Sequence, residues 1–386
     1  MLHNQPDGQN GELPPNEGGM GQLLGRRGRD DESSDNKDGN LALGPRKKAV
    51  KTDPLLSNGK HFGRTIHAFC NIFPLVKEGL ARFIKLQAGV IQAQDLSEQV
   101  YREHLVFQQL VNLSPGLDQR ILSASVQELH YIADMIDGGV RRARADDCRS
   151  VKSACLDWMT SRGGHITPTI DKNRKSARGF YHYRTGELLC PATLDWTDEK
   201  IQQRLKTGEL APTAEVWPAF VYRGGKRNPR NPWDGLFRGE LIYDGFKHVF
   251  IAPSSVGEES SRATRSGNAQ IHGMTSVTIA SLAYIATIVR FSLQSVENFC
   301  RTDKQSGSEG FYRSMIKFLE DPEEKEEVEE LLKYWNLKIF PIYHATPEDE
   351  VAVIPTVKDL IRQWRKEKRL ALADINPQQE SSGSGV

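Results

Sequence analysis

The chain has 386 residues, with 51 Lys plus Arg against 50 Asp plus Glu and 38% hydrophobic residues. That balance excludes a global field able to draw in nucleic acid or an anionic membrane surface. Five widely spaced cysteines (Cys70, Cys148, Cys155, Cys190, Cys300) argue against a disulfide framework and for a reducing compartment.

Residues 1–58 are rich in Gly, Asn, Asp, Pro and Ser and show no period. Such a segment cannot bury enough apolar surface to offset its chain entropy, so it is expected to be a disordered tail. It has no apolar run of the kind a signal peptide needs. Its cluster Arg46-Lys47-Lys48 resembles a short nuclear import signal. An intracellular, soluble protein is expected, with a nuclear location open.

Residues 59–164 read as an N-terminal helical part. Ile66, Phe69, Cys70 and Phe73 recur at helical spacing, and Val76, Leu80, Phe83 and Ile84 continue the stripe past Pro74, which should kink or split the helix. Leu96, Val100, Phe107, Leu110 and Val111 mark a second helix, ending at Ser114-Pro-Gly. Leu122, Val126, Leu129, Ala133 and Ile136 mark a third, ending at Gly138-Gly139. Cys148, Val151, Cys155, Leu156 and Met159 mark a fourth, ending at Gly163-Gly164. Four helices with short connections suggest an antiparallel bundle.

Residues 165–192 form a basic connector in which Phe180–Cys190 could be a hairpin with Thr185-Gly186 at its turn. A core helical domain is expected over 193–343. Thr197 should cap a helix that Gly208 ends, with Trp196 and Ile201 spaced as a hydrophobic staple. The run Val277–Val289, 13 residues long, falls short of the roughly 20 needed to span a bilayer. It belongs to a helix, Thr278–Phe299, apolar nearly all round and therefore enclosed by other helices. Ser308 should cap the next helix, with Phe311, Tyr312, Met315, Ile316 and Leu319 as its stripe. Asp321-Pro-Glu-Glu opens another, carrying Val328, Leu331, Leu332, Trp335 and Ile339. Residues 344–374 read as a basic amphipathic helix capped by Thr356, and 375–386 as a second disordered tail. The fold class expected is mostly α, a helical bundle-like domain with at most one small β-hairpin.

Several stretches resemble an uncharacterised domain-of-unknown-function family of mushroom-forming basidiomycete fungi. They are C-P-A-T-L-D-W (190–196), W-P-A-F-V-Y (217–222), N-P-W-D-G-L-F-R-G-E-L (231–241), F-K-H-V-F-I-A-P-S-S (246–255), A-T-R-S-G-N-A-Q-I-H-G-M-T-S-V-T (263–278) and F-L-E-D-P-E-E-K-E-E-V (318–328). The resemblance covers about 190–341, and 263–278 is its most specific run. It implies a fungal source and a shared fold, and no reaction, cofactor or catalytic residue.

Two segments carry candidate chemistry. The loop Arg262–Met274 places Arg262, Arg265, Asn268 and His272 just ahead of the central helix, where unpaired N–H groups and guanidinium groups suit a phosphate or carboxylate. Its plainer reading is a self-bonded loop at a helix end that always needs satisfying. The turn Tyr222–Pro232 interleaves Arg223, Lys226, Arg227 and Arg230 with Tyr222 and Trp233, as a stacking and phosphate-binding surface would. Its plainer reading is a solvated loop anchored by its aromatics.

Charge is uneven elsewhere too. Residues 141–184 hold 11 basic and 4 acidic residues, and 320–330 hold 8 acidic residues and one Lys. No zinc spacing, Walker motif, nucleophile elbow or kinase set occurs, so no metal or cofactor is expected. The reading favoured is a non-enzymatic interaction module for a protein or nucleic-acid partner. The alternative is an enzyme or small-anion binder using Arg262–Met274, with His248 as a further member.

Overall fold

A computed structural model describes residues 53–163, 166–257, 266–302, 307–344 and 364–365. Every regular element among them is helical; the nearest approach to a sheet is an isolated antiparallel bridge between Pro191 and Pro218. In chain order the helices are α1 (Pro54–Thr65), α2 (Ile72–Gln87), α3 (Glu98–Leu113), α4 (Leu117–Leu122), α5 (Val126–Gly163), α6 (Tyr183–Leu189) and α7 (Glu199–Thr207). There follow α8 (Glu240–Phe246), the short α9 (Asn268–Ile271), α10 (Ile279–Leu293), α11 (Ser308–Leu319), α12 (Lys325–Ile339) and the single turn α13 (Pro341–His344). None is long and apolar enough to cross a membrane among the described residues. The mostly α expectation holds.

The central helix is α10. Every residue from Ser281 to Leu293 is buried, against α5, α8 and α11. Thr278 opens it with a capping box: its hydroxyl accepts from Ser281 N (3.1 Å), while Thr278 N donates to Ser281 Oγ (3.0 Å). The Thr278 hydroxyl also donates to the Thr65 carbonyl at the end of α1 (2.8 Å). Thr287 and Ser292, polar on a buried face, turn their hydroxyls back to the carbonyls of Ala283 and Ile288 (2.8 Å each). The helix ends at Leu293, six residues before the sequence pattern suggested.

The far end of α10 is met by two enclosed cations. Lys175 and Arg178 are both 0% exposed. Lys175 Nζ donates to the carbonyls of Phe291 (2.5 Å) and Val296 (2.6 Å), and lies 3.2 Å above the Phe291 ring. Arg178 Nη1 donates to Ser292 O (2.8 Å) and Lys152 O (2.7 Å). Positive charge at a helix C-terminus is favoured by the macrodipole and by the carbonyls left open there. Burial and the neighbouring Arg178 lower the Lys175 ammonium to about 7.

Helix α5 has 38 residues, about 57 Å at 1.5 Å per residue, and serves two cores. Its first half joins α1–α4 around Phe62, Phe107, Leu110, Ile132 and Ile136. Its second half joins the larger core around α10 through Val151, Cys155, Leu156 and Met159. The third and fourth helices expected from sequence are therefore one. Gly138-Gly139 ends nothing; it lets α1 lie close. A Cβ at Gly139 would sit 2.4 Å from the Leu56 carbonyl oxygen, and one at Gly59 would sit 2.3 Å from that of Ile136.

Other expectations shift. Helix α1 starts at Pro54, inside the stretch assigned to the first tail, because Leu55, Leu56 and Phe62 have a core to enter and Asp53 caps Leu55 N (2.9 Å). Residues Ile66–Asn71 turn between α1 and α2, so the expected stripe is divided ahead of Pro74, which sits in the first turn of α2 and does not break it. Phe180–Cys190 forms a 3-10 turn and α6 instead of a hairpin. Gly186 there faces Trp196, whose Cζ2 would lie 2.2 Å from a Cβ. Asp198, not Thr197, caps α7, and Gly208 closes it as expected. Gly307 stands at the cap position expected of Ser308. The tails at 1–52 and 375–386, and the C-terminal helix except Trp364-Arg365, lie outside the described residues.

Candidate functional site

The first candidate gathers where α1, α5, α9 and α10 meet. Arg64 from α1 is bidentate on Asp147 from α5, with Nε to Oδ2 and Nη2 to Oδ1 both at 2.8 Å. Tyr284 of α10 donates its hydroxyl to Asp147 Oδ2 (2.6 Å). All three are buried. Burial works against the Arg64 charge, but the Asp147 carboxylate more than offsets it and raises the guanidinium. Burial, with Asp147 alongside, pushes the Tyr284 hydroxyl well up, so it stays a donor.

Three histidines surround this ion pair. His61 of α1 stacks on His272, with centroids 4.4 Å apart and planes at 11°. Burial, then His272 and Arg64, lower His61 to about 3. Burial followed by Arg64 lowers His272. His248 lies in the π-helical turn Lys247–Ile251, and its Nε2 is 2.5 Å from Ser150 Oγ on α5. The edge of Trp158 meets its ring, with centroids 5.4 Å apart. Burial lowers His248, and the Asp147 charge partly opposes this. Burial therefore favours the neutral form of all three imidazoles. Cys148 and Cys155, nearby on α5, are pushed up to about 12 by burial and stay as thiols.

The candidate anion loop Arg262–Met274 lies only partly within the described residues. Arg262 and Arg265 lie outside the described residues. Asn268 opens α9, and its Nδ2 donates to the Val249 carbonyl (2.5 Å), pinning the π-helical turn that carries His248. His272 and His248 thus belong to one polar cluster, while Asn268 acts on the backbone beside it. Sequence reasoning missed His61, Arg64, Asp147, Ser150 and Tyr284. Their partners are 83 to 137 residues away for the Asp147 pairs and 98 for Ser150–His248, so no local pattern links them. Among the described residues no group of three or more His, Cys, Asp or Glu side chains could hold a metal ion.

The second candidate is the basic turn. Tyr222 is buried in the main core. Trp233 stacks on Phe318 with centroids 5.2 Å apart and donates Nε1 to Glu324 (2.6 Å). Tyr222 is therefore not a surface residue, while Trp233 stays half-buried with one ring contact already made to Phe318. The cations differ. Arg223, Lys226 and Arg230 are exposed, Arg227 is half-exposed, and none has an ion pair among the described residues. Arg223 lies 5.6 Å from the Tyr334 ring centroid on α12, and Arg238 lies 5.1 Å from the same centroid. Asn228 braces the turn by accepting from Arg230 N (3.0 Å) and donating to Asp234 (3.1 Å).

The basic stretch 141–184 is largely used within the fold. Besides Lys175 and Arg178, Arg144 sits over Phe69 and Phe299 (5.3 Å each) and donates to Ala68 O. Arg141 pairs with Asp137 and Lys172 with Asp157.

Residues 138–340 match the model of a family described as a family of unknown function, DUF6698. The chain belongs to that family. No curated protein and no solved structure matches it. The DUF6698 region starts within α5 and ends after α12, so it contains α10, the basic turn and every member of the histidine cluster except His61 and Arg64.

Proposed function

We propose that this protein is a non-enzymatic interaction module whose contact surface is the turn Tyr222–Pro232. One observation carries this reading: Arg223, Lys226, Arg227 and Arg230 have no carboxylate partner among the described residues, although the turn itself is tightly anchored by Tyr222 and Trp233. Unpaired charge on a fixed backbone loses little entropy when a partner arrives. With Tyr222 in the core and Trp233 half-buried against Phe318, the turn offers mainly charge. The acidic α12 beside it favours a protein partner over a bare polyanion.

A gel shift on the full chain with duplex and single-stranded nucleic acid, across a salt series, tests the choice. Four phosphate contacts would give a log–log salt slope of roughly −4, abolished by changing the four cations to Glu. No shift at low salt removes nucleic acid and leaves protein. The five free thiols support a reducing, intracellular setting. Arg46-Lys47-Lys48 supports nuclear import, and the motif resemblance supports a basidiomycete source.

The Ser150–His248 contact favours a second reading, an acyl-transfer enzyme. The Ser150 hydroxyl would attack an acyl carbonyl while its proton passes to His248 Nε2, which would return it to the leaving group. A fluorophosphonate probe would then label Ser150 in the native chain and not in Ser150→Ala. Absence of label from Ser150 in the native chain removes this reading.

A further inference from the structure

The basic turn has an acidic neighbour of matching size. Glu323, in the 3-10 turn Pro322–Glu324 that leads into α12, and Glu326, Glu327 and Glu330 on its first turns are exposed and have no cation partner among the described residues. Trp233 holds the two patches together at Glu324, just ahead of α12, and Arg223 meets α12 itself at Tyr334. From Lys325, where α12 begins, to Tyr334 is nine residues, about 14 Å along the helix. The turn therefore runs beside the acidic helix, yet no ion pair joins their charges among the described residues.

Patches of opposite sign, side by side on one face, complement themselves. A two-fold axis lying in that face and running between the patches sets each copy's positive patch on the other's negative one. A nucleic acid would meet repulsion from the glutamates, and a polycation would meet it from the arginines. A partner carrying both signs at this spacing meets neither, and the chain itself is such a partner.

Resting on the reading of the turn as an interaction surface, we infer that a second copy of this chain docks here. Arg223, Lys226, Arg227 and Arg230 of one copy face Glu323, Glu326, Glu327 and Glu330 of the other, in two equivalent contacts. Exposed pairs are weak and screened, so the dimer is salt-sensitive.

Sedimentation velocity on the full chain tests this. The wild type should dimerise at low salt, with a dissociation constant rising more than about tenfold between about 50 and 500 mM salt. The loop-reversed variant R223E/K226E/R227E/R230E and the helix-reversed variant E323K/E326K/E327K/E330K should each be monomeric. Their equimolar mixture should dimerise again, because both contacts then join opposite charges, one with its signs exchanged and one with its native signs. The milder K226E/R230E serves if a fourfold variant loses its helical circular dichroism, and should weaken the dimer in the same direction. A wild type monomeric at low salt, or a mixture of folded variants that stays monomeric, overturns the inference. If the wild type is monomeric while loop reversal abolishes a nucleic-acid shift, the second copy is excluded and the turn remains a contact surface.

Discussion

The cluster around Asp147, which lies in the DUF6698 region apart from His61 and Arg64, and the turn Tyr222–Pro232 are both rich in charge, yet they are built oppositely. At Asp147 the charges are buried and matched: two guanidinium bonds and a phenol satisfy one carboxylate. On the turn the aromatic rings anchor the backbone, Tyr222 buried and Trp233 half-buried, and the charges are left open. The first arrangement holds α1, α5 and α10 in register; the second fixes a backbone while leaving its cations available. Abundance of charged residues therefore does not mark a binding surface. The surface we propose is the one whose charge has no internal partner among the described residues.

The sharpest way to break this contrast is Asp147→Asn. It should leave Arg64 buried without its counter-ion, cost about 3–5 kcal/mol and lower Tm by roughly 10 °C. A loss below about 1 kcal/mol in calorimetry would show that the pair is not structural. Next is Gly59→Ala, which pushes α1 off the Ile136 carbonyl and should cost about 2–3 kcal/mol by denaturant unfolding. An unchanged midpoint would mean that α1 does not pack as closely as described.

Acid should distinguish the two regions next. His61 is held at about 3, against about 6.5 when unfolded. Above pH 6.5 neither state binds the proton and the shift has no effect. Below it the unfolded chain takes up the proton first, so stability falls steadily towards pH 3, by about 2 kcal/mol at pH 5. Chemical denaturation at pH 7 and pH 5 measures this, and His61→Phe should flatten the dependence. The smallest effect is expected on the turn: K226E/R230E should change stability by less than about 0.5 kcal/mol. A larger loss would mean that those cations have internal partners.

The sequence was most legible where a pattern was unbroken. Thirteen successive apolar or small residues announced α10 and its enclosure, and the stripes of α3, α11 and α12 lay where they were expected. It was least legible where glycine had two meanings. Gly138-Gly139 read as a stop because glycine often ends helices, whereas the stripe Ile132, Ile136, Val140, Ala143, Asp147, Val151 runs through it unbroken. Thr185-Gly186 read as a hairpin turn because the alternation of Phe180–Tyr183 suited a strand, while Trp196 required a side chain of no size opposite it. The candidate site divides in the same way. His272 and His248 were visible as polar residues near the central helix, but His61, Arg64 and Asp147 are ordinary positions on amphipathic helices until those helices are packed together.

Lys175 and Arg178 give the stretch between α5 and α6 a standing that its loop-like composition conceals. A helix wrapped on all sides has no water to receive its last carbonyls, so something must travel inward to do so, and here that stretch does. The connector is thus the stopper of the molecule, and an insertion placed there on the assumption of slack would uncork its centre.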